Sequence, residues 1–378
     1  MDVEQRQWKK ETGWKTLGSK VDGEPDVVFV FGSTAHMESS DRLKEVRAIY
    51  PNATLVGGST GGEIQGEQVL EDSVVTAGIT FEATGVETTR AKLDNSSSSY
   101  VRGEEVAQSL CAPDLSHVFL LSDGVRVNGN ALVDGAARHL PENVTVTGGL
   151  AADGDRFERT PLWLDRVLET PSVVGVGFYG NRLMVGHGSL GGWDPFGPRR
   201  RIEKSDGDVL YEFDNHTALE LYERYLGPYA EDLPASGLRF PLAIQGPDQS
   251  HEIVRTVVGM DEDDQSVTFA GSVPEGSYAR LMKANNERLI DGAIGAAESS
   301  RGDLGDTPAD LALLVSCIGR KQVLKQRIEE EVEQATRKLG RGTSTVGFYA
   351  YGEIAPAPET QMCEMHNQTM TITTFAER

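Results

Sequence analysis

Cysteine is nearly absent from this chain. Its 378 residues hold three, Cys111, Cys317 and Cys363, an odd number with no Cys-x-x-Cys pair, which argues against both a disulfide framework and a zinc knuckle. Long apolar runs are missing as well. None approaches the roughly 20 residues that a membrane-spanning helix needs, and the opening stretch Met1 to Lys10 is polar where a signal peptide turns hydrophobic. The expectation is a cytoplasmic protein without membrane insertion. Positive charge is also short: 36 Lys and Arg stand against 58 Asp and Glu, and the net charge of −22 repels phosphate backbones and anionic lipid, so nucleic acid is a poor partner. Histidine is sparse, seven residues without metal-ligand spacing. Met362-Cys363-Glu364-Met365-His366 does collect soft ligands, but strand alternation puts Met362, Glu364 and His366 on one face and Cys363 and Met365 on the other. No metal and no cofactor is expected.

What the chain has is glycine in telling places. Gly57-Gly58-Ser59-Thr60-Gly61-Gly62-Glu63-Ile64 follows the apolar Leu55-Val56, and Gly347-Phe348-Tyr349-Ala350-Tyr351-Gly352-Glu353-Ile354 follows Thr345-Val346, with the opening Gly and the closing Gly-Glu-Ile at the same spacing. A looser third copy, Gly148 to Gly154, follows Val144-Thr145-Val146. Glycine costs chain entropy and is best used where a backbone takes positive φ or approaches something closely, so these stretches read as turns at strand ends that wall a site.

Around them the elements fall in order. Residues 1–23, with Trp8 and Trp14, read as an N-terminal extension ending in the turn signal of residues 21–25. A first domain is expected over 24–205 and a second over 206–378, with the boundary in the charged stretch Arg199 to Asp208. Asp26 to Phe31 is the continuous apolar run of a strand buried on both faces, and Ser40-Asp41 opens a helix with Leu43, Val46, Ile49 and Tyr50 at helical spacing. Strands at 73–81 and 86–93, a helix at 101–110, a strand at 118–122, a helix at 130–140 and a strand into the third Gly-rich stretch follow. From Ser266 that order returns: strands at 266–271 and 278–282, a helix at 287–299, a strand at 311–316, a long helix at 323–339 and the strand into the aromatic turn. Ser73/Ser266, Ala77/Ala270 and Gly78/Gly271 fall in one register, the mark of an internal duplication. The expected fold is α/β, two related halves of mixed β-sheets with outer helices. Sheets packed on sheets are favoured because the helices are too few to cover two sheets on both faces; one doubly wound sheet is the alternative.

Several side chains are candidates for chemistry. The Gly57–Glu63 stretch could cradle an anion with its N–H groups and the hydroxyls of Ser59 and Thr60, or be a tight strand exit without a ligand; it is no Walker loop, since no Lys follows its glycines. Tyr349 and Tyr351 alternate onto one face with Glu353, and an acid beside aromatics reads as a pocket wall. Arg320, three residues past Cys317 at a strand end, supplies a cation near that wall. The same cation would lower the Cys317 thiol pKa, so a thiol-dependent acyl-transfer or hydrolytic enzyme, with Cys317 as nucleophile and His366 as base, is one alternative. A buried, inert Cys317 is the favoured reading, because free cysteine is among the most buried residue types.

Signatures across the chain resemble those of one family: Val56 to Ile64; Leu221-Tyr222-Glu223-Arg224-Tyr225-Leu226-Gly227; Phe240-Pro241-Leu242; Ser316-Cys317-Ile318-Gly319-Arg320; Gly347 to Ile354; and Asn367-Gln368-Thr369. In this order they resemble the FIST (F-box and intracellular signal transduction) family, with its FIST N and FIST C regions. The resemblance implies a cytoplasmic sensory module that binds a small ligand, with amino acids as the candidate class. No signalling domain is read beside it, so a stand-alone sensor with a separate signalling protein as partner is expected. Ser59, Thr60, Glu63, Arg320, Tyr349, Tyr351, Glu353 and Asn367 are the residues expected around the ligand, Glu353 or Glu63 meeting an ammonium and Arg320 a carboxylate. An interaction scaffold without a pocket is the remaining alternative.

Overall fold

The apolar run Val27–Gly32 is a strand buried at every residue, and so are Ser172–Tyr179 and Leu311–Cys317. Such strands need a layer on each side. The computed structural model, which describes residues 1–18, 23–95, 98–247, 251–357 and 360–378, supplies both: three mixed sheets face one another across a common core, and helices cover their outer faces. Helix Ser40–Ile49 lies on the first sheet, Ser99–Leu110 and Gly129–His139 on the second, Asn286–Asp303 and Ile328–Leu339 on the third. The fold is therefore α/β with sheet on sheet, and the single doubly wound sheet is not what forms.

Each sheet is built on the same motif. A parallel pair, Val27–Gly32 with Thr54–Ser59, Leu115–Ser122 with Thr145–Leu150, or Leu311–Cys317 with Ser344–Ala350, is flanked on its first strand by an antiparallel neighbour, Val74–Thr80, Ser172–Tyr179 or Met370–Glu377. One phenylalanine pair joins each two sheets across the core: Phe29 and Phe119 with ring centroids 5.2 Å apart, Phe31 and Phe348 at 4.6 Å, Phe178 and Phe375 at 5.5 Å. A fourth, antiparallel sheet, which includes the long strand Asp194–Asp206, packs with helix Ala218–Leu226 around a core of its own.

The sheets cross the expected domain limits. Glu63–Gln65 and Leu183–Leu190 join the third sheet, and Gly352–Pro356 and Cys363–His366 join the second. The expected N-terminal extension is a hairpin, Asp2–Lys9 and Gly13–Leu17, whose first strand pairs with Val74–Thr80; residues 21 and 22 of the expected turn lie outside the described residues. Most of the charged stretch Arg199 to Asp208 is strand, because an exposed strand carries no apolar alternation to reveal it. The long helix expected at 323–339 is two, Ile318–Leu324 and Ile328–Leu339, broken where Lys325 takes φ +52°. The matching register of Ser73 and Ser266 does not carry into the pairing: Val74–Thr80 lies in the first sheet, Ser266–Phe269 in the fourth. Among the described residues no helix is long and apolar enough to cross a membrane.

The glycines expected in turns lie mostly inside strands. Gly57, Gly148 and Gly347 occupy one equivalent position, the second strand of each parallel pair, opposite Val30, Leu120 and Leu314. A Cβ on any of them would run into the carbonyl oxygen of that partner. The reason for glycine is thus close approach of two backbones rather than a ligand. Gly347→Ala is expected to destabilise the protein by about 2–3 kcal/mol, read as a lower urea midpoint with unchanged slope; stability within 0.5 kcal/mol of wild type, the range of an ordinary surface substitution, would show that the strands part easily.

Candidate functional site

A cavity of about 730 Å³ lies where the second sheet, the fourth sheet and helix Ile318–Leu324 meet. The loop after Leu115–Ser122 contributes Gly124, Val127 and Asn128; the end of Thr145–Leu150 and the loop beyond it contribute Leu150, Asp155 and Phe157. Thr256 to Val258, Phe269 to Ser272, Pro234, Ala235, Leu238, Cys317, Ile318, Gly319 and Tyr351 also line it. The lining is mostly apolar and aromatic with a few polar groups, the composition of small-molecule sites, and the volume falls in their range of roughly 300–1,000 Å³.

Asp153 organises the loop at the mouth. Its carboxylate accepts the N–H groups of Phe157, Glu158 and Arg159, each at 2.9 Å, and the hydroxyl of Tyr351. Burial alone would raise the Asp153 pKa; the Arg159 N–H, the Tyr351 hydroxyl and the other N–H groups together lower it further than burial raises it. Burial, and then the Asp153 hydrogen bond, push the Tyr351 phenol well above its ordinary value. Phe157 stacks on Tyr351 with centroids 4.2 Å apart and rings 8° from parallel.

Of the residues expected at the site, Tyr351 and Cys317 line this cavity. The two tyrosines do not share a face. The chain turns at Tyr351 as it leaves Ser344–Ala350 in the third sheet for Gly352–Pro356 in the second, so Tyr349 is buried against the helices of the third sheet and Tyr351 in the core of the second. Arg320 is fully buried and its guanidinium is committed: to Glu331 at 2.7 Å, and to the carbonyls of Leu289 at 2.7 Å, Gly191 at 2.5 Å and Gln368 at 3.2 Å. The pairing partner is Glu331, not Glu353, because helix Ile328–Leu339 covers that side of the sheet. Glu353, also fully buried, accepts the Thr369 hydroxyl at 2.8 Å and N–H at 3.1 Å, while its Oε1 has no hydrogen bond. Burial raises its pKa to about 8 against the pull of Thr369 and the Arg320 charge. Asn367 beside it is buried with neither amide atom hydrogen-bonded, and the Ser59 hydroxyl is likewise buried without a partner.

Glu63 is held away from the cavity. It accepts hydroxyls from Thr60 and Ser73, both at 2.5 Å, and burial raises its pKa to about 7 against those bonds and the charge of Lys321. Lys321 itself bonds the Gly61 carbonyl at 2.6 Å and Glu71 at 2.7 Å. The pair named for thiol chemistry is not assembled. Burial, and then the Glu353 charge, push the Cys317 thiol far above its ordinary pKa, whereas His366 holds its Nε2 3.1 Å from the Ala355 carbonyl and burial lowers it to about 4. Among the described residues no group of three or more His, Cys, Asp or Glu is placed to hold a metal ion. Sequence reasoning missed Phe157 and Thr256, which stand in no motif; Asp153 was inside the third glycine copy, and its hub role could have been suspected there.

Two measurements follow from these environments. With iodoacetamide at neutral pH, exposed Cys111 is expected to label quickly and Cys317, buried and held as the thiol, far more slowly; fast labelling of Cys317 in the folded protein would restore the thiol enzyme. Burial lifts the pKa of Glu63 to about 7 and of Glu353 to about 8 from the ordinary 4.5, so their stabilising share is complete below about pH 4.5 and is lost as pH rises through 7 to 8. Glu353→Gln should therefore flatten the decline in stability between pH 5 and 8, and an unchanged slope of stability against pH would mean that its carboxyl is already ionised at pH 5.

Relatives align over most of this chain. An uncharacterized protein of Mycobacterium tuberculosis is 26% identical over 348 residues, covering 88% of this chain and 87% of its own, and one of Methanocaldococcus jannaschii is 24% identical over 345 residues, covering 83% and 63%. Among solved structures, a cyanuric acid hydrolase from A. caulinodans aligns over 94% of this chain and 90% of that one, at 9% identity and a TM-score of 0.34, too low to carry an argument. Family models match residues 26–216 as the FIST N domain and 218–356 as the FIST C domain. The cavity lies between these two parts, drawing Asn128 and Phe157 from the first and Thr256 and Cys317 from the second, and the chain belongs to the FIST family, whose domains are generally described as sensory domains in signal transduction.

Proposed function

We propose that this protein is a cytoplasmic sensor that binds a small metabolite in the cavity between its FIST N and FIST C parts and passes occupancy to a signalling protein. The observation that supports this is the cavity itself: about 730 Å³, walled by strand ends of both parts and mixed in polarity. A ligand there touches the second sheet, the fourth sheet and helix Ile318–Leu324 together, so binding would favour one arrangement of these elements over others. Amino acids and their derivatives, the class that the family resemblance implies, are the first compounds to screen.

The reading is tested by thermal shift and calorimetry with a metabolite panel. A ligand at a hundred times its Kd should add about 2.7 kcal/mol of stability. Ala270→Trp and Leu238→Trp, which fill the cavity from different walls, are expected to abolish that gain while keeping a cooperative melt. A ligand that stabilises both variants as much as wild type would place its site elsewhere.

A further inference from the structure

The cavity carries charge of one sign. The charged side chains that line it are Asp155 and Asp208, both exposed, and among the described residues no Lys, Arg or His does. Arg255 is buried behind the wall and does not line it: its guanidinium is committed to the carbonyls of Met365 at 2.9 Å and Ser272 at 3.3 Å. An anionic ligand would therefore lose its hydration at this site without meeting a cationic side chain.

Two further observations concern the ligand. Phe157 is 52% exposed although it is aromatic, and it is held at φ +55°, a left-handed conformation that bulky residues rarely adopt. The Asp153 hydrogen bonds and the stack on Tyr351 keep it there, presenting an exposed ring in the same lining as the two acids. Strain kept at a cavity mouth is a reason to look for function, and the face of an aromatic ring attracts cations. Thr256, also in the lining, is 6% exposed and its buried hydroxyl has no hydrogen-bond partner.

We infer that the cavity receives an organic cation, an amine with an apolar or aromatic body, recognised by Asp155, Asp208 and the ring of Phe157. This rests on the cavity being the ligand site. It also sets an order among amino-acid derivatives: amines and carboxyl-blocked forms bind ahead of the free amino acid, whose carboxylate finds no cationic side chain in the lining.

Calorimetry of the full chain with three matched probes tests it: 2-phenylethylamine, 2-phenylethanol and 3-phenylpropionate. The amine is expected to bind about tenfold more tightly than the alcohol, the scale of one partly exposed cation–aromatic contact with nearby carboxylates, and the carboxylate weakest. The double variant Asp155→Asn, Asp208→Asn should bring the amine towards the alcohol and leave the alcohol unchanged. Carboxylate binding as tight as that of the amine, or an amine preference indifferent to the double variant, overturns the charge assignment while leaving the cavity reading intact. Failure of the amine to bind overturns this inference and leaves the cavity reading to the metabolite panel, whereas a panel ligand that binds Ala270→Trp and Leu238→Trp as tightly as wild type removes the cavity reading and this inference with it.

Discussion

Three sheets must share one interior. Each brings strands with large apolar residues on its inner face, and the pairs Phe29–Phe119, Phe31–Phe348 and Phe178–Phe375 each tie one sheet to another. Full burial of such a ring contributes roughly 1.5–3 kcal/mol, and aromatic pairing adds to it. Taking away any sheet would expose the inner faces of the other two. Even His117 conforms to this core: its ring nitrogens meet Thr145 and Thr147, and burial lowers its pKa to about 3, so it stays neutral.

The shared interior explains why the FIST N and FIST C matches divide the sequence but not the packing. Glu63–Gln65 and Leu183–Leu190 complete the third sheet, and Gly352–Pro356 completes the second, so each matched part finishes a sheet begun by the other. The crossings are fastened by polar groups. Arg320 binds the covering helices through Glu331 and Leu289 and two loops through Gly191 and Gln368. A buried ion pair is costly to desolvate, and here the carbonyl bonds offset that cost and make the arrangement specific. Asp153 does the same for the mouth of the cavity, which opens where those crossings leave strand ends uncovered.

The chain itself determined its elements. The unbroken apolar run at 27–31, the helical spacing of Leu43, Val46 and Ile49, and the segment Ala218–Leu226 are local patterns, and periodicity over a few residues is enough to select strand or helix. That sheets would pack on sheets was legible too, from the number of doubly buried strands set against the number of helices. The glycine repeats were visible, but their cause was not. A turn and a close backbone approach both demand glycine, and only the pairing of Gly57, Gly148 and Gly347 with Val30, Leu120 and Leu314 separates the two.

The candidate site was legible only in part, for a related reason. Tyr351 and Cys317 stand in motifs, and both line the cavity. Arg320, Glu353 and Tyr349 stand in motifs as well, yet they are buried elsewhere, because a motif records that a residue is constrained and not what constrains it. Phe157, Thr256 and Asp208 stand in none; they meet because loops from distant parts of the chain converge over the ends of strands. The sequence by itself determined most of the strands and helices, since periodicity over a few residues selects them. Only the tertiary structure decided which partner each buried charge takes, since that depends on how elements pack, as helix Ile328–Leu339 brings Glu331 to Arg320, and where a cavity is left open, since that depends on contacts between distant residues such as Tyr351 with Asp153.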